Sequence, residues 1–288
     1  MGEQAGALTN WQAFALGIVQ GLTELLPISS SGHLILVPWA ADWDYLKAHD
    51  EFNQTFDVAL HLGTLVAVAA YFRGMIVELA IAFVDAVRRR RTSSPSERVA
   101  VFVAIATVPA AVVGALGEEL IADHLGEPWQ IAILIAFFAV VLWLADRMPA
   151  GRELDDLGHG AAFGVGLAQS LSLMPGVSRS GITISAARLL GLDREAAANL
   201  SFLLLVPITL GAVLWKGLND VVLGDLPPGS AGPFAVGATA AAGSGLFAIW
   251  GLLAYVRRHD YTPFVVYRLL VALIVALVIA SGAREAGF

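Results

Sequence analysis

Cysteine is missing from this sequence altogether. That excludes a disulfide framework, a thiolate metal site and a cysteine nucleophile. Charge is scarce as well. Asp, Glu, Lys and Arg make up 14% of 288 residues, against roughly 25% in an ordinary soluble domain. A soluble enzyme of this length would struggle to cover its core with so few charges. Basic residues are in the minority, 17 against 24 acidic ones, and the net charge of −7 argues against nucleic acid as a partner. What the chain has instead is apolar surface. Hydrophobic residues reach 57% and mean hydropathy is +0.73. Disorder is excluded, and the fold class expected is all-α, a polytopic integral membrane protein.

Crossing ~30 Å of hydrocarbon takes about 20 apolar residues. Six runs qualify, over roughly 55–72, 98–117, 128–146, 196–215, 234–256 and 263–281. A further apolar helix, about 74–87, ends at Arg88-Arg89-Arg90-Arg91. It is expected to lie at the interface or to enter only partly. The N-terminal apolar stretch lacks a basic n-region and an A-x-A site, so it is not expected to be a removable signal peptide. Two segments, 11–40 and 159–190, are apolar but broken in the middle. The breaks are Pro27-Ile28-Ser29-Ser30-Ser31-Gly32-His33 and Pro175-Gly176-Val177-Ser178-Arg179-Ser180-Gly181. Each half is too short to cross, which predicts two re-entrant helical hairpins. Such breaks are tolerated only where buried in protein or lining a watery cavity.

Shifting the sequence by 149 residues aligns the two breaks without gaps. Gly17 meets Gly166, Gln20 meets Gln169, and Leu22 meets Leu171. Ser29 meets Ser178, Ser31 meets Ser180, and Gly32 meets Gly181. The identities concentrate at the polar break, which predicts a duplicated unit of one hairpin plus three spans. The expectation is one membrane domain over 1–288, with repeat one over about 8–147 and repeat two over about 158–282. Three spans is an odd number, so the second unit enters from the opposite side. Loop charges give the same answer. Residues 88–98 carry five Arg, 147–157 carry Arg147 and Arg152, and 257–260 carry Arg257 and Arg258; these loops read as inside. Residues 118–127 carry Glu118, Glu119, Asp123 and Glu127 with no Lys or Arg, and of these two types 41–53 with 217–231 have only Lys47. These read as outside, as do both termini. Broken helices of inverted repeats meet near the midplane and form the site there.

The polar residues at those breaks carry the chemistry. Glu24 lies three residues before Pro27, with Gln20 one helical turn earlier on the same face. An ionisable group at that depth is costly and needs a role or a partner. Ser29, Ser30, Ser31 and Gly32 open a half-helix, whose free N–H groups and positive dipole end suit a phosphate. Ser178, Ser180 and Gly181 repeat that arrangement, with Thr183 and Gln169 in support. His33 can act as base, acid or nucleophile near neutral pH. Arg179 is the sharpest residue. A guanidinium at the tip of a broken membrane helix calls for an anion, and its planar fork suits phosphate oxygens. The bland alternative is a permanent structural pair with Glu24. Together these groups suit phosphoryl chemistry. A carboxylate beside a phosphate makes sense with a divalent cation shared between Glu24 and substrate. The residues leave the nucleophile open between Ser30, His33 and water. Asp57 and His61 read as rim groups, and Arg268 as a residue that snorkels to the inner surface.

The run GIVQGLTELLPISSSGHL (17–34), with MPGVSRSG (174–181), SFLLLVP (201–207) and PFVVYR (263–268), resembles the undecaprenyl-pyrophosphate phosphatase family of the bacitracin-resistance type. The likeness spans essentially the whole chain. It implies an inner-membrane enzyme that hydrolyses the terminal phosphate of a C55 polyprenyl pyrophosphate and so regenerates the monophosphate carrier for cell-wall synthesis. It implies chemistry at the outer face with a divalent cation, Mg²⁺ or Ca²⁺, and functional roles for Glu24, Ser30, His33 and Arg179. Members carry Glu or Gln where Gln20 stands here, and Gln is common where His61 stands. The partners implied are the lipid substrate and the bilayer, with no nucleic acid; the oligomeric state is left open, a homo-oligomer included. A site within the bilayer, reached laterally, suits a substrate whose tail stays in lipid. Two other classes compete: a secondary transporter or flippase of an anionic or polyprenyl-phosphate substrate, because broken-helix repeats are transporter architecture, and an ion channel with a structural Arg–Glu pair.

Overall fold

A computed structural model describes residues 8–43, 50–216 and 230–287. Lys47 and most of the loops expected over 41–53 and 217–231 lie outside the described residues. The described chain is helical. In order run α1 (Asn10–Leu25), α2 (Ser30–Ala41), α3 (Asp50–Tyr71), α4 (Arg73–Arg89), α5 (Pro95–His124) and α6 (Pro128–Asp146). Then come α7 (His159–Ser170), α8 (Arg179–Leu189), α9 (Arg194–Lys216), α10 (Ala231–Val256) and α11 (Thr262–Ala280).

Five of these helices, α5, α6, α9, α10 and α11, are long and apolar enough to cross a membrane alone. Among the described residues, the sixth expected span, over α3, reaches that standard together with α4. The two are joined at Phe72 and bent by 86°. The apolar helix expected over about 74–87 is therefore α4, turned nearly at right angles to α3. Both expected hairpins are broken helices: α1 and α2 flank one break, α7 and α8 the other. Pro27 and Pro175 explain why neither continues, since proline lacks the N–H and clashes with the preceding turn.

Packing crosses between the two halves of the chain. Helix α1 lies along α10, while α7 lies along α5. Small residues make this close approach possible, as in membrane helix pairs generally. A Cβ added at Gly17 would overlap the Gly237 carbonyl oxygen and come within 2.8 Å of the Ala240 Cβ. The Ser244 hydroxyl also reaches the Gly17 carbonyl (3.3 Å). Backbone cannot yield as a flexible side chain does, so Gly17→Ala is expected to cost about 1–3 kcal/mol. That corresponds to a melting temperature in detergent lower by about 5 °C. Gly243→Ala on the same α10 meets open space and should melt as wild type does. Equal melting of the two variants would contradict the close contact.

The two ends of the molecule differ in chemistry. At one end Asp146 is buried and accepts from Arg194 Nε (2.7 Å) and the Tyr261 N–H (3.0 Å). Arg188, also buried, donates to the carbonyls of Asp146 (2.9 Å) and Met148 (2.6 Å). Arg98 pairs with Asp155 (2.6 Å) and Arg257 with Glu195 (2.7 Å). Asp260 accepts the Thr262 N–H at the start of α11 (3.0 Å), and that hydrogen bond holds its carboxyl below the usual range. The loops read as inside from their arginines are thus tied together at this end. At the opposite end Arg284 pairs with Asp42, and Trp39 Nε1 donates to the Glu285 carbonyl (3.2 Å).

Candidate functional site

Both breaks are built alike. Ser29 and Ser178 occupy left-handed backbone, with φ of 79° and 74°. Non-glycine residues held there cost on the order of 1–3 kcal/mol each, and such strain concentrates at functional sites. Each serine caps the half-helix it precedes. Ser29 Oγ accepts from the Gly32 N–H (3.3 Å), and Ser178 Oγ from the Gly181 N–H (3.1 Å). These four residues, read from sequence as phosphate ligands, therefore direct their polar groups at each other in this structure. Ser180 does likewise: its hydroxyl donates to the Leu26 carbonyl of the other break (2.9 Å).

The tips meet at Glu24, which is 5% exposed. Its Oε1 accepts from Arg179 Nη2 (3.0 Å) and Nε (3.3 Å). Its Oε2 accepts a very short hydrogen bond from the Ser30 hydroxyl and a longer one from Gln20 Nε2 (3.4 Å). Arg179 Nη1 donates to the Ser201 carbonyl (3.2 Å). A guanidinium has five N–H donors, so these three bonds leave two for a ligand. Thr183 Oγ1 ties Arg179 in place, bonding its carbonyl (2.7 Å) and the Ser201 hydroxyl (2.8 Å). The pair expected as the bland alternative is formed, and it joins the two breaks.

His33 faces another way. Its Nδ1 lies 2.7 Å from the Ser29 carbonyl oxygen and its Nε2 2.8 Å from the Tyr267 hydroxyl. Neither nitrogen bonds Ser30, one helical turn away on α2. His61 Nδ1 donates to the Asp57 carbonyl (2.7 Å), and its Nε2 stands 3.7 Å from Glu24 Oε2. His61 thus belongs at the site, closer to the carboxylate than a rim group. Gln169 is buried against the Ala106 carbonyl (3.4 Å), away from these contacts.

Arg268 does not snorkel. It is 0% exposed. Its guanidinium donates to the carbonyls of Ile135 (3.1 Å), Pro27 (3.4 Å), Gly176 (3.0 Å) and Val177 (3.1 Å). Three of those carbonyls belong to the breaks. Proline and left-handed backbone leave them without helical partners, and one cation satisfies all of them. Tyr267, Arg268 and Ser201 all stand in runs quoted from the sequence, PFVVYR and SFLLLVP, yet received no site role there. The signal was their polarity within apolar spans.

Among the described residues no group of three or more His, Asp or Glu forms a metal cage. Gln20 Oε1, however, is buried beside Glu24 with no hydrogen-bond partner. One carboxylate and one amide oxygen are the donors a hard divalent cation takes when phosphate and water complete its shell. The residues present fit such an ion shared with a ligand.

Comparison with known proteins agrees with this architecture. The profile described as Bacitracin resistance protein BacA matches residues 13–274. A protein of Pelobacter propionicus named undecaprenyl-diphosphatase is 43% identical over 94% of this chain and 97% of its own length. One of Pelotomaculum thermopropionicum with the same name is 41% identical over 98% of this chain and all of its own. A third, of Geobacter metallireducens, is 44% identical over 90% and 94%. With its polytopic helical fold and its match over residues 13–274, this chain belongs to the bacitracin resistance protein BacA family.

Proposed function

We propose that this multi-pass membrane protein is a phosphatase that hydrolyses undecaprenyl diphosphate to the monophosphate and inorganic phosphate. One observation carries the chemistry: the Ser30 hydroxyl donates to Glu24 Oε2 while Arg179 holds Oε1 of the same carboxylate. Ser30 is the nucleophile. Glu24 accepts its proton, and the oxygen attacks the terminal phosphorus. The P–O–P bond breaks, and the lipid monophosphate leaves with its electron pair. The two uncommitted N–H groups of Arg179 bind the charge that develops on the phosphoryl oxygens. Water then hydrolyses the phosphoserine. Full-length relatives named as diphosphatases favour this reading over a transporter or flippase, and over a channel.

Glu24, Gln20 and His61 would hold the divalent cation, Mg²⁺ or Ca²⁺. Such an ion neutralises phosphate charge. Two half-helices meeting inside an apolar bundle support lateral entry, with the lipid tail left in the bilayer. We place the protein in the plasma membrane, with the end carrying Arg98, Arg194 and Arg257 in the cytoplasm and the termini outside. We read the chain as two units of opposite insertion, each opening with one broken helix; the matched conformations of Ser29 and Ser178 support this.

The test uses purified protein and undecaprenyl diphosphate labelled with ³²P at the terminal phosphate. Acid quenching during turnover should leave label on wild-type protein at Ser30. Ser30→Ala should carry none and release phosphate about 10³-fold more slowly. Turnover near wild type in Ser30→Ala would sink the assignment.

A further inference from the structure

We propose that Tyr267 is a catalytic residue: its hydroxyl is the outer end of a proton relay whose inner end is His33, held in place by the Ser29 carbonyl. The proposal rests on the hydrolase reading above and concerns its second half, the attack of water on the phosphoserine.

The relay has a direction. The Ser29 carbonyl oxygen, 2.7 Å from His33 Nδ1, can only accept. Nδ1 therefore carries the proton, and Nε2 of the neutral ring is a bare acceptor. The Tyr267 hydroxyl, 2.8 Å away, donates to it. The two rings also stack, with planes 11° apart and centroids at 5.6 Å. His33 is 7% exposed whereas Tyr267 is 41% exposed. The one basic nitrogen of the imidazole is thus covered by the phenol, which is the less buried member of the pair.

The position is fixed as well. His33 follows Ser30 by three residues on α2, so their Cβ atoms are about 5–6 Å apart. Tyr267 precedes Arg268, whose guanidinium is bonded to carbonyls of both breaks. Helix α11 therefore cannot shift the phenol without disturbing the breaks themselves.

Labour is divided accordingly. Glu24 already accepts from Ser30, so the first step does not need His33. In the second step water attacks the phosphorus of the phosphoserine, and its oxygen forms the new P–O bond. A water proton passes to the Tyr267 oxygen while the phenolic proton passes to His33 Nε2. The P–Oγ bond breaks, and Ser30 recovers its proton from Glu24. The imidazolium then returns its proton through Tyr267 to the departing phosphate. No oxidant, reductant or further co-reactant is needed.

Tyr267→Phe removes one oxygen and leaves the ring stack. Expected is a kcat lower by about 10²-fold with KM within twofold of wild type. Acid-trapped phosphoenzyme should rise in the steady state, because only its breakdown is slowed. His33→Gln should behave alike. The double variant should be no slower than the slower single one, because a relay fails as a unit. A Tyr267→Phe kcat within twofold of wild type overturns the proposal, as do losses that multiply in the double variant. Failure of the hydrolase reading is seen separately, as no phosphate release by wild-type protein.

Discussion

Arg268→Met is expected to destabilise the protein by about 3 kcal/mol and to lower its melting temperature in detergent by about 10 °C. Two opposing effects set this figure. Burying a guanidinium without a carboxylate carries a desolvation cost of several kcal/mol, which the substitution removes. Against that stand four charge-assisted hydrogen bonds, at about 1.5–3 kcal/mol each. Their loss leaves the break carbonyls of Pro27, Gly176 and Val177 buried and unpaired, at about 1–3 kcal/mol apiece. The second effect wins, because no helical N–H is available to replace the cation. Arg268→Lys should recover little of the loss. An ammonium is a point donor and cannot span carbonyls offered from three segments. Activity should fall with stability in both variants, since the same carbonyls hold the two breaks in register. A methionine variant that melts within 2 °C of wild type would show that the carbonyls find other partners.

The halves of this result differ in how readable they were. The breaks were visible in sequence because proline and clustered serine interrupt apolar runs, and hydropathy registers that directly. Glu24 and Arg179 stood out because charge is rare at such depth, and they do meet. Arg268 was misread because it lies within the first two turns of its helix, after Pro263, where an arginine usually reaches water. Only the fold shows three backbone carbonyls waiting there. The capping roles of Ser29 and Ser178 could not be told from phosphate binding. A serine that caps a helix and one that binds phosphate look the same in sequence, and the positive φ that decides between them is a tertiary property. Hydropathy found the span over α3 but not the 86° bend that follows it, because it counts residues and not their direction. Tyr267 is one of several aromatics in apolar helices, and only the fold brings its hydroxyl within 2.8 Å of His33 Nε2.

Removing both charges at the tip should separate a functional pair from a structural one. Glu24→Gln alone leaves the Arg179 guanidinium, 12% exposed, without an acid. Arg179→Met alone leaves Glu24 without its main counter-ion. Each single variant should lose about 3 kcal/mol of stability and at least about 10³-fold in phosphate release. In the double variant no unpaired charge remains. Replacing a buried ion pair by neutral groups of similar size is often close to neutral for stability, so its melting temperature should return to within about 3 °C of wild type. Activity should not return. Ser30 would have only an amide to receive its proton, and the phosphoryl oxygens would lose their guanidinium. A double variant that regained turnover along with stability would make Glu24–Arg179 a strut between the breaks and move the chemistry elsewhere. The decisive comparison is therefore the melting curve and the initial rate measured on the same double-variant preparation: the first recovers, the second stays at the level of the single variants.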